Sequence, residues 1–247
     1  MSQQVIVDRD LLFRGAALYQ PNVKGPMMTE YKIFDETFFA DADENDWTET
    51  ANGVTVAHAA LDGGATTLTA GGTLSDCAEI SNTAQWSAAS ACGVEIKMKI
   101  SQITDVCVCG GFIDVITNTD NRVAMEFNGT ALKALTNTAD VCGFLFDTDR
   151  TSADYWYVAS ANGGVVGTPI VTNGSLAPVA GTYFKIRVQT DTLGNVTFYY
   201  NGIPVGYLPT AIAYGAGDLL TPYVGFIARS TVAQVCTISR ITTWQTN

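Results

Sequence analysis

Strict alternation of apolar and polar residues recurs along this chain and limits it to strand-built folds. Val94, Ile96, Met98 and Ile100 alternate with Glu95, Lys97 and Lys99. Val123, Met125 and Phe127 alternate with Arg122, Glu126 and Asn128. Phe184, Ile186 and Val188 alternate with Lys185, Arg187 and Gln189, and Val196, Phe198 and Tyr200 with Thr197, Tyr199 and Asn201. A period of two sends successive side chains to opposite faces of a strand. Each segment therefore predicts a strand with one face on a core and one face wet. The connectors agree. Asp191-Thr192-Leu193-Gly194-Asn195 predicts a short hairpin, and Asn201-Gly202 and Asn128-Gly129 supply residues that tolerate positive φ. Lys and Glu, the usual surface residues of helices, number only six and seven. Strands about ten residues apart with such turns predict an all-β antiparallel sandwich or barrel.

The 247 residues suit one large all-β domain able to build its own core. Only 15% are charged, against roughly 25% in ordinary soluble domains. Thirteen Lys and Arg face twenty-four Asp and Glu, a net charge of −11. That balance excludes a nucleic-acid binder, which needs a basic face for phosphates, and an anionic membrane surface as partner. The apolar runs are too short to span a bilayer, and the first ten residues carry no secretory pattern. Asn128, Asn173 and Asn195 head glycosylation sequons, read here as turn chemistry. In a chain of this length without an export signal, the six cysteines (Cys77, Cys92, Cys107, Cys109, Cys142, Cys236) are expected as buried free thiols.

Residues 1–32 lack any sustained period yet contain Leu11, Leu12, Phe13, Leu18 and Tyr19, too apolar for a free tail. They predict an extended arm that packs on its own domain or a neighbour. Eight carboxylates then fall within residues 30–49, threaded by Phe34, Phe38, Phe39 and Trp47, and the main domain is placed at 33–247.

Candidates for chemistry are few. His58, the one histidine, sits in an alternating strand and is expected to be structural. Asp41–Asp46 begins like a calcium loop, but the sixth position is Asp46 and the twelfth Asn52, where an EF-hand needs Gly and Glu. Cys107 and Cys109 share a strand face without a second close pair to complete a zinc site. Asp147 and Asp149 have the i, i+2 spacing of a carboxylate pair but lie in a turn. No catalytic residue, no metal ligand and no cofactor is expected. Among the aromatics, Trp156 and Tyr199 are the candidates to face a glycan or a protein partner.

Gly181-Thr182-Tyr183-Phe184-Lys185-Ile186-Arg187-Val188, followed by Gly194-Asn195-Val196-Thr197-Phe198-Tyr199-Tyr200-Asn201-Gly202, resembles the back-sheet hairpins of concanavalin A-like lectin/glucanase jelly rolls. Leu220–Ile227 and Ile238–Gln245 resemble that family's final strands, and Phe34–Thr48 its opening. The resemblance implies a concanavalin A-like jelly roll over about residues 33–247. The chain lacks the Glu-x-Asp-x-x-Glu signature of the glucanase branch, from which it is expected not to be an enzyme. With its arm and its acidic, Thr/Ala/Gly-rich composition, it also resembles decoration (cement) proteins or head fibres of tailed bacteriophages.

On that resemblance the chain is expected to be a structural virion protein, made in the host cytoplasm and bound to the capsid exterior. The major capsid protein would be its partner, engaged by Leu11, Leu12, Phe13, Leu18 and Tyr19, and it would form a dimer or trimer. Surface glycans are a further expected partner; nucleic acid and membrane are not. The alternative is a lectin-like carbohydrate-binding adhesion module or, after that, a glycoside hydrolase.

Overall fold

The computed structural model describes residues 31–38, 47–59, 64–70, 72–114, 123–134, 138–151, 154–215 and 217–246. The expected arm, residues 1–30, lies outside them, as does the acidic stretch 39–46. The first strand, β1 (Tyr31–Glu36), begins two residues before the domain start inferred from sequence and pairs antiparallel with the last strand.

Two antiparallel sheets face each other. The first, sheet A, orders β17 (Ile203–Leu208), β16 (Val196–Tyr200), β15 (Phe184–Thr190), β7 (Cys92–Ile100), β19 (Val235–Thr246), β4 (Ala65–Ala70) and β3 (Val54–Ala59), with β1 also on β19. The second, sheet B, orders β13 (Val165–Val166), β12 (Tyr157–Asn162), β11 (Val141–Asp147), β8 (Val106–Ile113), β18 (Leu219–Ala228), β5 (Cys77–Ser81) and β2 (Thr48–Asn52). The short β14 (Ile170–Val171) adds to β12, and β6 (Trp86–Ser87) to β18. A separate ribbon, β9 (Met125–Asn128) and β10 (Ala131–Ala134), is joined through Gly129 at φ +61°.

The alternation seen in sequence becomes the core. Val94, Ile96, Met98 and Ile100 of β7, Phe184, Ile186 and Val188 of β15, and Val196 and Phe198 of β16 all point between the sheets. Sheet B answers with Val106, Val108 and Phe112 of β8, Phe144 and Phe146 of β11, and Val224 and Phe226 of β18. Asn201 and Gly202, at φ 49° and 84°, form the whole connection between β16 and β17; both residues need positive φ for a turn whose twist matches the strands.

Trp156 departs from the sequence expectation. It is 0% exposed, with its ring edge-on to Phe144 at 5.9 Å and to Phe184 at 5.4 Å. It enters the core because the residue before β12 continues that strand's inward alternation with Val158. It therefore presents nothing to a glycan or a partner. Trp156→Ala is expected to destabilise the fold by about 3–5 kcal/mol, the usual cost of truncating a large core aromatic. Urea unfolding followed by far-UV circular dichroism measures this.

Candidate functional site

Sheet B is buried on its outer face as well. All eight residues of β8 and all seven of β11 are buried, where a one-sided sheet would alternate. The outward set, Cys107, Cys109, Ile113, Val141, Leu145, Tyr157, Tyr223 and Ile227, forms a second apolar cluster with Val123, Met125 and Phe127. The β9–β10 ribbon roofs it. Close approach requires small residues underneath: a Cβ added to Gly225 would stand 2.7 Å from Val123 Cβ and 2.8 Å from Cys109 Sγ. Phe127 meets Tyr157 edge-on at 5.1 Å, and the Arg150 guanidinium lies 3.9 Å from the centre of the Tyr157 ring.

The roof controls the chemistry of what it covers. Glu79 on β5 is fully buried; one carboxylate oxygen accepts the Ala124 N–H at 3.2 Å and the other has no hydrogen-bond partner. Burial pushes its pKa up to about 8, so the side chain is held as a neutral acid at pH 7. Burial likewise raises the thiol of Cys77 to about 11, and those of Cys107 and Cys109 well above their ordinary value. These are packed thiols, not nucleophiles. All six cysteines are free and buried.

Where the roof ends, a charged cluster begins. Arg229, just beyond β18, grips Asp147 with two parallel bonds, Nε to Oδ1 at 3.1 Å and Nη2 to Oδ2 at 2.6 Å. It also donates to Glu126 at 3.1 Å and lies 3.3 Å from Asp149. Asp147 in turn accepts the Phe127 and Asp149 N–H groups. The guanidinium thus ties β11 and β18 to the roof. Glu126, which alternation placed on a wet face, is buried here because Arg229 satisfies its charge.

Beside this cluster opens a cleft of about 550 Å³. Its polar lining includes Asn52, Asp76, Glu126, Asn128, Lys133, Asp149 and Arg229; Leu74, Phe127 and Ile227 supply the apolar part. The volume falls in the ligand-site range of roughly 300–1,000 Å³. Asp76 is pre-oriented: it accepts the Thr73 N–H at 3.0 Å, and its carboxylate lies so close to Gly53 that a Cβ there would be 2.0 Å away. Carboxylates, amides and cations gathered around one cleft can accept from and donate to adjacent hydroxyl groups at the same time.

The sequence reading reached only part of this site. The Asp147–Asp149 pair was visible by spacing, but their partner Arg229 lies 82 residues from Asp147, and no local pattern connects them. Tyr199 lies on the outer face of sheet A, half-buried, under the Arg187 guanidinium at 3.9 Å. His58 falls within β3. Leu11, Leu12, Phe13, Leu18, Tyr19 and the Asp41–Asp46 loop lie outside the described residues. Among the described residues, no group of three His, Cys, Asp or Glu is placed to hold a metal ion.

The sequence matches no family model and no curated protein. Solved structures match by fold. The Emp47p carbohydrate recognition domain superposes with a TM-score of 0.60 at 11% identity, covering 88% of this chain and 97% of that one. A Bacillus licheniformis beta-glucanase gives 0.58 at 14% identity, covering 85% and 96%. An endo-beta-1,4-glucuronan lyase from the fungus Trichoderma reesei gives 0.57 at 10% identity, covering 85% and 94%. The fold is that of the concanavalin A-like lectin/glucanase jelly rolls, an all-β antiparallel sandwich. The expectation that the chain is not an enzyme is corrected by the same finding. Hydrolases and a lyase share this frame with carbohydrate-recognition domains, so the lack of one branch's signature does not separate the chain from catalysts. Nothing among these neighbours supports a capsid-bound role.

The buried acid makes a pH prediction. Glu79 is raised from 4.5 to about 8 in the folded chain, so its contribution to stability is complete below pH 4.5 and is lost as pH rises towards 8. Glu79→Gln is expected to match the parent below pH 4.5, gain on it progressively between 4.5 and 8, and stay ahead above that. The final gap should reach a few kcal/mol, at about 1.4 kcal/mol per pKa unit. Urea midpoints measured across this pH range test it.

Proposed function

We propose that this chain binds carbohydrate, with the cleft beside Arg229 as its recognition site. The observation that carries the reading is the lining itself. Asn52, Asp76, Asn128, Lys133 and Asp149 surround one cleft at the margin of the roofed face, anchored by the Arg229–Asp147 clamp. Amide and carboxylate side chains match the donor and acceptor pairs of vicinal hydroxyls, and Leu74, 60% exposed at the rim, supplies an apolar contact for the sugar ring. The Emp47p and Emp46p carbohydrate recognition domains and the beta-glucanases share the frame, which supports a glycan as ligand over other small molecules with hydroxyl groups.

The reading is tested by calorimetric titration of the full chain with a panel of neutral oligosaccharides. Asn52→Ala combined with Asp149→Asn is expected to weaken the best ligand at least about tenfold, equivalent to about 1.4 kcal/mol, while the melting profile stays that of the parent. Unchanged affinity in a folded double variant would place the glycan elsewhere. Because the frame is shared with hydrolases and lyases, the same samples are read for new reducing ends and for unsaturated products.

A further inference from the structure

The outer face of sheet A carries a concentration of positive charge that the cleft reading leaves unused. Lys97 and Lys99 of β7, Lys185 and Arg187 of β15, and Arg240 of β19 are five of the chain's thirteen basic residues, in a molecule of net charge −11. They sit opposite the core-facing Ile96, Met98, Ile186, Val188 and Ile241. The register makes the arrangement costly. Lys185 pairs directly with Lys97, and Lys97 with Arg240, so three cations stand side by side across three neighbouring strands. Like charges directly opposite one another destabilise a sheet. Only part of the row is neutralised: Lys185 reaches Glu95 at 2.9 Å, and Arg240 pairs with Asp35. Among the described residues, Lys97, Lys99 and Arg187 form no ion pair.

Aromatic rings are interleaved with these cations. The Lys97 and Lys99 ammonium groups lie 5.0 and 4.9 Å from the centre of the Tyr183 ring, which is 38% exposed. The Arg187 guanidinium covers Tyr199 at 3.9 Å, and its Nε has no hydrogen-bond partner. Further along the strands Trp244 lies across Gly93, where an added Cβ would be 2.4 Å from its ring. From the Gly93 position to Lys97 is four residues, roughly 13 Å at strand rise. The face is therefore an extended track of rings and unpaired cations along neighbouring strands.

We propose that this face binds an acidic polysaccharide, one whose sugar rings carry carboxylate or sulfate groups. The rings of Tyr183 and Trp244 offer apolar surface to the C–H faces of sugars, and Lys97, Lys99 and Arg187 meet the anions between them. A nucleic acid fits less well. A duplex carries one negative charge per about 1.7 Å, far more than three unpaired cations in an acidic molecule neutralise. The face is separate from the Arg229 cleft and lies on the other sheet, so this inference stands or falls independently of the cleft.

The test is binding of the full chain to immobilised alginate and dextran sulfate in low-salt buffer, with uncharged dextran and polyglutamate as controls. The expected result is binding to one or both acidic polysaccharides, which identifies the anion as carboxylate or sulfate, and none to dextran. Affinity should fall steeply with added salt, and Lys97→Gln with Lys99→Gln should weaken it by about tenfold or more. That double variant should keep the parent's melting profile and its neutral-oligosaccharide titration. No binding to either acidic polysaccharide overturns the proposal, as does binding that the folded double variant retains. Equal binding to polyglutamate overturns the choice of a polysaccharide in favour of an acidic protein segment.

Discussion

The central strands of sheet B have no wet face, and most of what distinguishes this molecule follows from that. A sheet covered on both sides must be apolar at consecutive positions, as in the unbroken buried runs of β8 and β11. It must also admit its roof. The glycine at position 225 takes the Val123 side chain, and Gly143 lies so close under Tyr223 that an added Cβ would stand 2.9 Å from the hydroxyl oxygen. Polar groups trapped there have two outcomes. Glu79, with a single backbone donor, is driven towards its neutral form. Asp147, with two backbone N–H groups and a bidentate guanidinium, is fully satisfied as an ion pair.

The Arg229 clamp consequently joins structure to site. It holds the roof strand that carries Glu126 against the end of β18, and the cleft opens where that roof stops. Removing Arg229 alone would leave Asp147 buried without its partner, the kind of change that costs about 3–5 kcal/mol. A side chain that fixes the cleft wall is therefore tied to the fold and cannot vary freely with the ligand.

The two sheets use their outer faces in opposite ways. Sheet B hides its face and confines charge to one margin. Sheet A leaves its outer face partly in solvent and carries there a large share of a small stock of cations. Arg187 and the two lysines over Tyr183 rest on aromatic rings in place of carboxylates, which lets them stay unpaired at modest energetic cost. Acidic residues elsewhere give the chain its overall sign, so composition alone pointed away from nucleic acid and an anionic membrane surface. Net charge averages over faces that a ligand meets one at a time.

The alternation in β7, β15 and β16, and the Asn201-Gly202 turn, were legible because strand faces and positive-φ turns are set by residues adjacent in the chain. The sequence by itself determined the strand class and the inward side of sheet A. Only tertiary structure decided which outward faces become buried a second time. That step buried Glu126 when its alternation suggested solvent, whereas Trp156 is buried between the two sheets themselves. It also brought Arg229 to Asp147 and Asn52 to Lys133 across sequence gaps that carry no local signal. The reason is physical: periodicity reports the two sides of a strand, whereas the cover over each side comes from elements elsewhere in the chain.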